Sequence, residues 1–345
     1  MEPLLEVRGL SIGIRRGKKH LTAVSGIDIT LNAGEIAALV GESGGGKTMT
    51  ALSIMRLLPP AAEITGGEIR FIPASLPLDA RHDPLLSANS PAPPAPPGLA
   101  RELCGSGLGI RGKEIAMIYQ EPRQSLNPLM RVGPQIAEAL ELHGTDKPAA
   151  AEAALDMLKR LAFGQPEKIF RAWPHQLSGG MCQRVMIAIA AICRPRLLIA
   201  DEPTSSLDTE NRRHILSLLK QINREFGTAI LFISHDLSLA QDFCSRFMVM
   251  YAGNIIEEGP CRELFSAPAH PYTAALVAAI PRRENRSRPL AGISGSAPSI
   301  EERPPGCPFA PRCPKAQGRC TAELPPWVET GGGKARCFFA GAGNG

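Results

Sequence analysis

The chain has 345 residues, of which 44% are hydrophobic and 21% are charged, as in globular proteins of one or two domains. Its net charge of +5 is too small for this length to indicate sequence-specific binding to nucleic acid. The sequence lacks an apolar run of the roughly 18 residues that span a bilayer. It also lacks the basic start and apolar core of a secretory signal. We therefore expect a cytosolic protein without a membrane-spanning helix.

The first third of the chain predicts short strands followed by a helix. Leu4–Val7 and Ile12–Ile14 have the composition of strands, and Glu35–Gly41 (EIAALVG) is a continuous apolar run, as expected of a strand covered on both faces. A Gly-rich loop follows, and the helical stretch Thr48–Leu58 stops at two prolines. Residues 73–110 are rich in Pro and Ala and have no period, so we expect a surface insertion there.

Strands and helices then alternate along the chain. Strands are predicted at Arg196–Pro203 and Ala229–Ser234, helices at 134–161, 179–193, 209–226 and 236–244, and a closing pair of strands within Arg246–Gly259. This alternation favours an α/β fold in which a parallel sheet carries helices on both faces.

The segment GESGGGKT, at residues 41–48, fits the pattern G-x-x-x-x-G-K-[ST] between a predicted strand and a predicted helix. Its glycines let backbone N–H groups surround a phosphate chain, and the following helix points its positive end at the same anion. Lys47 would place its charge on the terminal phosphates, and the Thr48 hydroxyl would ligate Mg²⁺. We assign the whole loop to nucleotide binding: Gly41, Glu42, Ser43, Gly44, Gly45, Gly46, Lys47 and Thr48.

Polar side chains follow three other predicted strands. They are Gln120 in IYQEP, Asp201 and Glu202 in LLIADEP, and His235 in FISHD. Asp201 would complete the Mg²⁺ site begun by Thr48, and Glu202 would orient and polarise the attacking water. Because ligands in open α/β folds bind at the carboxyl ends of strands, we expect all these groups along one edge of one sheet.

A second candidate anion site lies in LSGGMCQR, at Leu177–Arg184, more than a hundred residues after the first. Glycines at the start of a helix leave backbone N–H groups open to a phosphate. Taken together, GESGGGKT, IYQEP, LSGGMCQR, LLIADEP, SSLD and FISHD, in this order, resemble an ABC-transporter ATP-binding cassette over residues 4–260. The resemblance implies a P-loop NTPase fold with a mainly parallel core sheet, an antiparallel β subdomain and a helical subdomain at about 120–193.

The resemblance also implies why one chain carries two phosphate sites. In such cassettes the signature segment does not serve its own P-loop but caps the nucleotide of a second cassette, head to tail. Ser178, Gly179 and Gly180 would contact the γ-phosphate held by the partner, while Lys47 holds this chain's own ATP. Gln120 would join Thr48 and Asp201 at Mg²⁺, and Glu202, His235 and Gln120 would act in hydrolysis.

Two further segments narrow the family. Met117–Pro128 (MIYQEPRQSLNP) and Ala269–Pro281 (AHPYTAALVAAIP), together with the Cys-rich tail, are similar to the importer ATPases for oligopeptides, dipeptides and nickel. This similarity implies a cassette at 1–260 and a transporter-type C-terminal region at 261–345, Cys-rich from residue 307. It also implies a second, non-identical ABC ATPase subunit, two membrane permease subunits, an external substrate-binding protein, and a place at the cytoplasmic face of the inner membrane.

Import of dipeptides or oligopeptides is the function that this similarity favours, and no nucleic-acid partner is expected. Import of nickel or a metallophore is the first alternative, because those importers share the ATPase pattern. A soluble ABC ATPase acting on ribosomes or DNA is an alternative of another class, although the chain has one P-loop, one signature and no sustained heptads. A small-molecule kinase would leave the signature segment and His235 unexplained.

The tail contains Cys307, Cys313, Cys320 and Cys337, spaced C-x₅-C-x₆-C-x₁₆-C in a segment rich in Pro and Gly. Small segments of this kind commonly need a metal or disulfides to fold, and the cytosol favours a metal. Zinc sites usually have close C-x₂₋₄-C pairs, whereas Cys-Pro steps occur in ferredoxin-like ligand runs. We therefore predict a [4Fe–4S] cluster on these four cysteines, with zinc or unliganded thiols as the alternatives.

Overall fold

The computed structural model describes residues 3–72, 101–102, 109–205, 207–280 and 292–340. The predicted insertion at 73–110 therefore lies almost entirely outside the described residues. Within these ranges no helix combines the length and the apolar character needed to cross a membrane. The chain divides into two compact units. The first unit comprises Met1–Leu5, Leu31–Glu35 and Arg70–Leu231, and the second comprises Glu6–Thr30, Ile36–Ile69 and Phe232–Gly345.

The regular elements of the described residues have the following bounds. The strands are β1 (Pro3–Arg16), β2 (Lys19–Asn32), β3 (Ile36–Val40), β4 (Ala62–Phe71), β5 (Arg101–Glu102), β6 (Ile115–Ile118), β7 (Leu197–Asp201), β8 (Ala229–Ser234), β9 (Arg246–Tyr251), β10 (Asn254–Pro260), β11 (Val328–Thr330) and β12 (Gly333–Ala335). The helices are α1 (Lys47–Ile54), α2 (Pro122–Ser125), α3 (Val132–Glu141), α4 (Lys147–Arg160), α5 (Pro166–Arg171), α6 (Gly179–Ala191), α7 (Thr209–Phe226), α8 (Leu237–Gln241), α9 (Cys261–Ser266), α10 (Pro271–Ala278) and α11 (Gly318–Ala322). Short 3₁₀ turns lie at Pro174–Gln176, Ile300–Glu302 and Ala310–Arg312.

The core of the first unit is built on a parallel pair of strands. In β6 and β7, Ile115 lies opposite Leu197 and Ile118 lies opposite Ala200. Every residue of both strands is buried, which explains their almost unbroken apolar sequences. Helix α6 packs against β6 and against α2, α3 and α4. The prediction of parallel strands accompanied by helices is confirmed for this pair.

The helical stretch predicted at 134–161 forms two helices rather than one. Helix α3 ends at Glu141 and α4 begins at Lys147. Between them Gly144 adopts φ 97°, a conformation that other residues disfavour. The Asp146 carboxylate then accepts the N–H of Ala149 (3.4 Å) and caps α4. The helical spacing continues through this turn, so it conceals the break.

The second unit contains a mixed sheet. Strand β3 runs parallel to β9, with Val40 opposite Val249, and β9 forms an antiparallel hairpin with β10. Strand β12 then pairs antiparallel with β10, with Glu257 opposite Ala335, and β11 pairs with β12. In a separate sheet, β1, β2 and β4 lie side by side in the order β2-β1-β4.

The C-terminal tail contains regular structure that its composition did not predict. Strands β11 and β12 extend the sheet, and Phe309 is only 1% exposed. The Phe309 ring lies 5.3 Å from those of both Tyr251 and Tyr272. The partners of the tail, β10 and these tyrosines, lie far earlier in the chain, so they leave no local pattern in the tail sequence.

Candidate functional site

The Gly-rich loop of residues 41–46, which the sequence predicts to bind nucleotide, lies between β3 and α1 in the second unit. Two of its glycines are required by the backbone. Gly46 caps α1 with φ 104°, and Gly41 has φ 153° with the Met250 carbonyl so close that a Cβ would lie 2.0 Å from its oxygen. The loop therefore turns tightly against β9. The N-terminal end of α1, which carries a partial positive charge, faces this loop.

The Lys47 side chain forms hydrogen bonds with this loop. Its side chain is buried, and Nζ donates hydrogen bonds to the carbonyl oxygens of Gly41 and Glu42, both at 2.9 Å. A buried ammonium needs such oxygen partners, and phosphate oxygens would serve in their place. Thr48 is exposed beside it at the start of α1, where its hydroxyl is accessible to a ligand.

Other parts of the second unit support the loop from behind. The N–H of Gly253, in the turn between β9 and β10, donates to the Gly45 carbonyl at 2.8 Å. The N–H of Glu42 donates to the Tyr272 hydroxyl at 3.0 Å, and the Glu42 carboxylate pairs with Arg312 at 2.9 Å. Sequence reasoning counted Glu42 among the ligand-binding residues of the loop and did not find Tyr272 or Arg312, because no motif links them to the loop.

The first unit holds the acidic end of β7. Asp201 is its last residue and is 2% exposed, and Glu202 follows with φ 45°. A glutamate in this left-handed region is strained, which is common at functional sites. Gln120 Nε2 donates to Glu202 Oε2 at 3.2 Å, so the structure brings these two predicted residues together. His235 is an exposed residue at the end of β8, in the second unit.

The signature segment begins α6 in the first unit. Ser178 is the N-cap residue, and its hydroxyl accepts the N–H of Met181 at 3.3 Å. Gly179 and Gly180 form the first turn of the helix. The segment opens on a cleft of about 490 Å³, which is also lined by Arg184, Asp208, Glu210, Asn211 and His214. The N-terminal end of α6 is therefore accessible from outside the chain, as an anion site must be.

Arg184 anchors the signature helix, a role that sequence reasoning missed. Its guanidinium donates to the carbonyl of Ala162 at 3.2 Å and lies 4.0 Å from the centre of the Phe163 ring. It also lies 3.3 Å from Nε2 of His214. Burial, and secondly the Arg184 charge, lower the pKa of His214, so this imidazole is neutral near pH 7 and can accept from Arg184.

The described residues give no support for the predicted cluster site on the four tail cysteines. Among the residues that the structure describes, no group of three or more His, Cys, Asp or Glu side chains is arranged to hold a metal ion. The sulfurs of Cys320 and Cys337 accept backbone N–H groups, from Gln317 at 3.4 Å and from Phe339 at 3.5 Å. Burial raises the pKa of the Cys307 thiol to about 11, which favours the neutral form.

The prediction of a [4Fe–4S] cluster on Cys307, Cys313, Cys320 and Cys337 is thus not supported, and neither is zinc. Three of these four side chains are buried, at 7% exposure or less. Aromatic packing and strand pairing contribute to holding this segment. The convergence of Thr48, Gln120 and Asp201 on Mg²⁺ stays a prediction, since these residues belong to different units.

Two family models match the chain. The model described as "ABC transporter" matches residues 24–205, and "Oligopeptide/dipeptide transporter, C-terminal region" matches residues 256–320. The chain is 41% identical to the oligopeptide transport ATP-binding protein AppD of Bacillus subtilis, over 98% of this chain and 97% of that protein. It is 40% identical to OppD of Salmonella typhimurium, another oligopeptide transport ATP-binding protein, over 97% of this chain and 93% of that one.

Solved structures show the same fold. The ATP-binding cassette MJ0796, in a dimeric post-hydrolysis state bound to ADP and Pi, gives a TM-score of 0.60 at 23% identity, covering 75% of this chain and 99% of that one. The cbiO1 protein of Clostridium perfringens, part of the cbiONQ transporter complex, gives 0.59 at 23% identity over 77% and 92% of the two chains. The predicted cassette fold, a mixed sheet with helices, is confirmed.

Proposed function

Since this chain belongs to the ABC transporter family, we propose that it is the ATP-hydrolysing subunit that supplies energy to an importer of peptides. The observation that carries the proposal is the identity of about 40% with two oligopeptide transport ATP-binding proteins over nearly the full length of each. The match of residues 256–320 to the oligopeptide/dipeptide transporter C-terminal region distinguishes this role from that of an ABC ATPase acting on ribosomes or DNA.

Different residues of the chain would bind the phosphates, hold Mg²⁺ and contact the attacking water. Backbone N–H groups of the loop at 41–46 and the ammonium of Lys47 bind the phosphates of ATP. Thr48, Asp201 and Gln120 would hold Mg²⁺, which neutralises charge on the β- and γ-phosphates when bound. Glu202 lies within hydrogen-bonding distance of Gln120, so both can contact one water beside the γ-phosphate.

Glu202 would orient that water and accept its proton as the bond to phosphorus forms. The strained backbone of Glu202 supports this role, because it holds the carboxylate in a direction that an extended residue after β7 would not give. His235, which is exposed after β8, would contact the γ-phosphate of the same ATP. Hydrolysis then yields ADP and phosphate.

The cassette would act as one of a pair. Ser178, Gly179 and Gly180 at the open start of α6 would meet the γ-phosphate held by a second, non-identical ABC subunit, and that subunit would do the same for this chain. Two membrane permease subunits would receive the closing motion, and an external protein would deliver the peptide. The chain would then lie peripherally at the cytoplasmic face of the membrane.

Reconstitution tests this function. Coexpression with the two candidate permeases and the partner ATPase, followed by purification through a permease tag and insertion into liposomes, should give ATP hydrolysis that peptide and binding protein stimulate. Lys47→Ala in this chain should remove the stimulated activity. Stimulation by nickel or a metallophore complex instead of peptide would reassign the substrate, and failure of the chain to copurify with any permease would contradict the proposal.

A further inference from the structure

Glu42, the second residue of the nucleotide-binding loop, is held from three directions. Its N–H donates to the Tyr272 hydroxyl at 3.0 Å. Its carbonyl accepts from Lys47 Nζ at 2.9 Å and from the Gly45 N–H at 3.2 Å. Both carboxylate oxygens accept from Arg312 Nη1, at 3.1 and 2.9 Å. Every polar group of Glu42 therefore has a partner, and two of those partners belong to the region after β10.

Arg312 is itself fixed by several bonds. Nη1 also donates to the Tyr251 hydroxyl at 3.1 Å, Nε donates to the Ser294 carbonyl at 2.9 Å, and Nη2 donates to the Ile293 carbonyl at 3.2 Å. The side chain of Arg312 is only 7% exposed, whereas that of Glu42 is 29% exposed. A guanidinium held at several nitrogens has one orientation, so it presents a fixed charge to Glu42.

Aromatic packing makes this anchor rigid. Phe309, three residues before Arg312, packs against Tyr251 and Tyr272, whose own ring centres lie 4.5 Å apart. These are the same two tyrosines whose hydroxyls contact Arg312 and the Glu42 backbone. The cluster of Phe309, Tyr272 and Tyr251, of which the first two belong to the C-terminal region, thus positions both bonds that reach Glu42 from outside the loop.

The bond from Lys47 differs from these two. Binding of a phosphate would alter the contacts that the Lys47 ammonium now makes with the carbonyls of Gly41 and Glu42. The contacts from Arg312 and Tyr272 do not depend on Lys47, so they can hold the loop in place while the ammonium moves. A loop that keeps its bound shape does not lose conformational entropy when the ligand arrives.

We propose that Arg312 is a positioning residue for nucleotide binding: through Glu42 it keeps the loop preorganised for phosphate, so that the C-terminal region sets the affinity of the cassette for ATP. This inference rests on the proposed function of the loop. It assigns to the transporter-type C-terminal region an effect on the first step of the cycle.

The test is binding of a fluorescent ATP analogue with Mg²⁺ to the purified full chain, with the Kd and the number of sites per chain both measured. Arg312→Gln should raise the Kd by about tenfold at one site per chain, the size of effect expected for loss of a hydrogen bond between charged groups. Arg312→Lys should recover part of the affinity because it retains the charge. The double variant Glu42→Gln and Arg312→Gln should raise the Kd by less than the product of the two single effects. The reason is that each substitution alone already removes the same contact between Glu42 and Arg312.

Two controls separate the explanations. Arg319→Gln alters an exposed arginine of the same tail, one that stacks 4.5 Å from the Phe338 ring, and it should leave the Kd unchanged. Lys47→Ala tests the loop itself. If Lys47→Ala abolishes binding while Arg312→Gln stays within twofold of the wild type, the inference about Arg312 fails and the proposed function stands. If Lys47→Ala binds normally, the proposed function of the loop fails.

Two other results would overturn the inference alone. A lower number of sites with an unchanged Kd in Arg312→Gln would show that Arg312 only supports folding. An equal rise in Kd for Arg319→Gln would show a general effect of altering the tail.

Discussion

Replacement of Phe309 by Ala tests whether the C-terminal tail is part of the folded core of the second unit. Phe309 is 1% exposed and packs against Tyr251 and Tyr272, each at 5.3 Å between ring centres, and against His270 at 5.9 Å. Truncation of a buried Phe to Ala lowers the free energy of unfolding by about 3–5 kcal/mol, because the hydrophobic transfer energy is lost and a cavity is left behind. Since a whole domain is stable by only about 5–15 kcal/mol, this unit would lose a large fraction of its stability.

The two tryptophans of the chain provide a clean assay. Trp173 lies in the first unit and Trp327 in the second, so Trp173→Phe leaves a reporter for the second unit alone. In that background, urea unfolding followed by fluorescence should show a midpoint at least about 1 M lower for Phe309→Ala, given a typical slope of about 1–3 kcal/mol per M. Leu324→Ala, at a 40% exposed position of the same tail, should change stability by less than about 0.5 kcal/mol. A loss below about 1 kcal/mol for Phe309→Ala would refute the packing argument.

Three further predictions concern the site and its surroundings. Glu202→Gln should bind ATP normally but release phosphate about 10²–10⁴ times more slowly in the reconstituted complex, as expected for loss of a general base; near-normal turnover would remove Glu202 from this role. Ser178→Arg, at an exposed position, should leave ATP binding by the isolated chain intact and should stop hydrolysis by the complex, whereas a collapse of isolated binding would contradict a role on a partner's nucleotide. Burial lowers the pKa of His270 from 6.5 to about 3. Between pH 6.5 and pH 3 this imidazole is therefore protonated in the unfolded chain but not in the folded one, so the free energy of unfolding should fall as the pH drops through this range. His270→Asn retains an acceptor for the Tyr272 N–H, which now donates to Nδ1 at 3.0 Å, and urea unfolding at several pH values should show a shallower fall; an unchanged slope would argue against a neutral buried imidazole.

The parts of the fold that the sequence predicted are those whose signal is local. The loop at 41–46 lies between β3 and α1 because an apolar run, a Gly-rich turn and a helix follow one another directly in the chain. Asp201 ends β7 for the same reason, since the acidic pair directly follows buried residues. Such patterns need no knowledge of distant partners, and the structure agrees with them.

The parts that it did not predict depend on distant contacts. Phe309 and β12 belong to the core only because Tyr251, Tyr272 and β10 lie against them. The contact between Arg312 and Glu42 joins residues 270 positions apart, and no spacing rule could indicate it.

The two proposed phosphate sites, at residues 41–48 and 177–184, contain glycine for different structural reasons. At Gly41 the reason lies inside the chain, since a Cβ would meet the Met250 carbonyl at 2.0 Å. At Gly179 the structure offers no such reason, because a Cβ there would meet nothing within 4 Å. Glycine at Gly179 is therefore not required by crowding within the described residues. Close approach of a ligand to the backbone is another reason for glycine, and it is consistent with the proposal that Gly179 meets a phosphate held by a partner subunit.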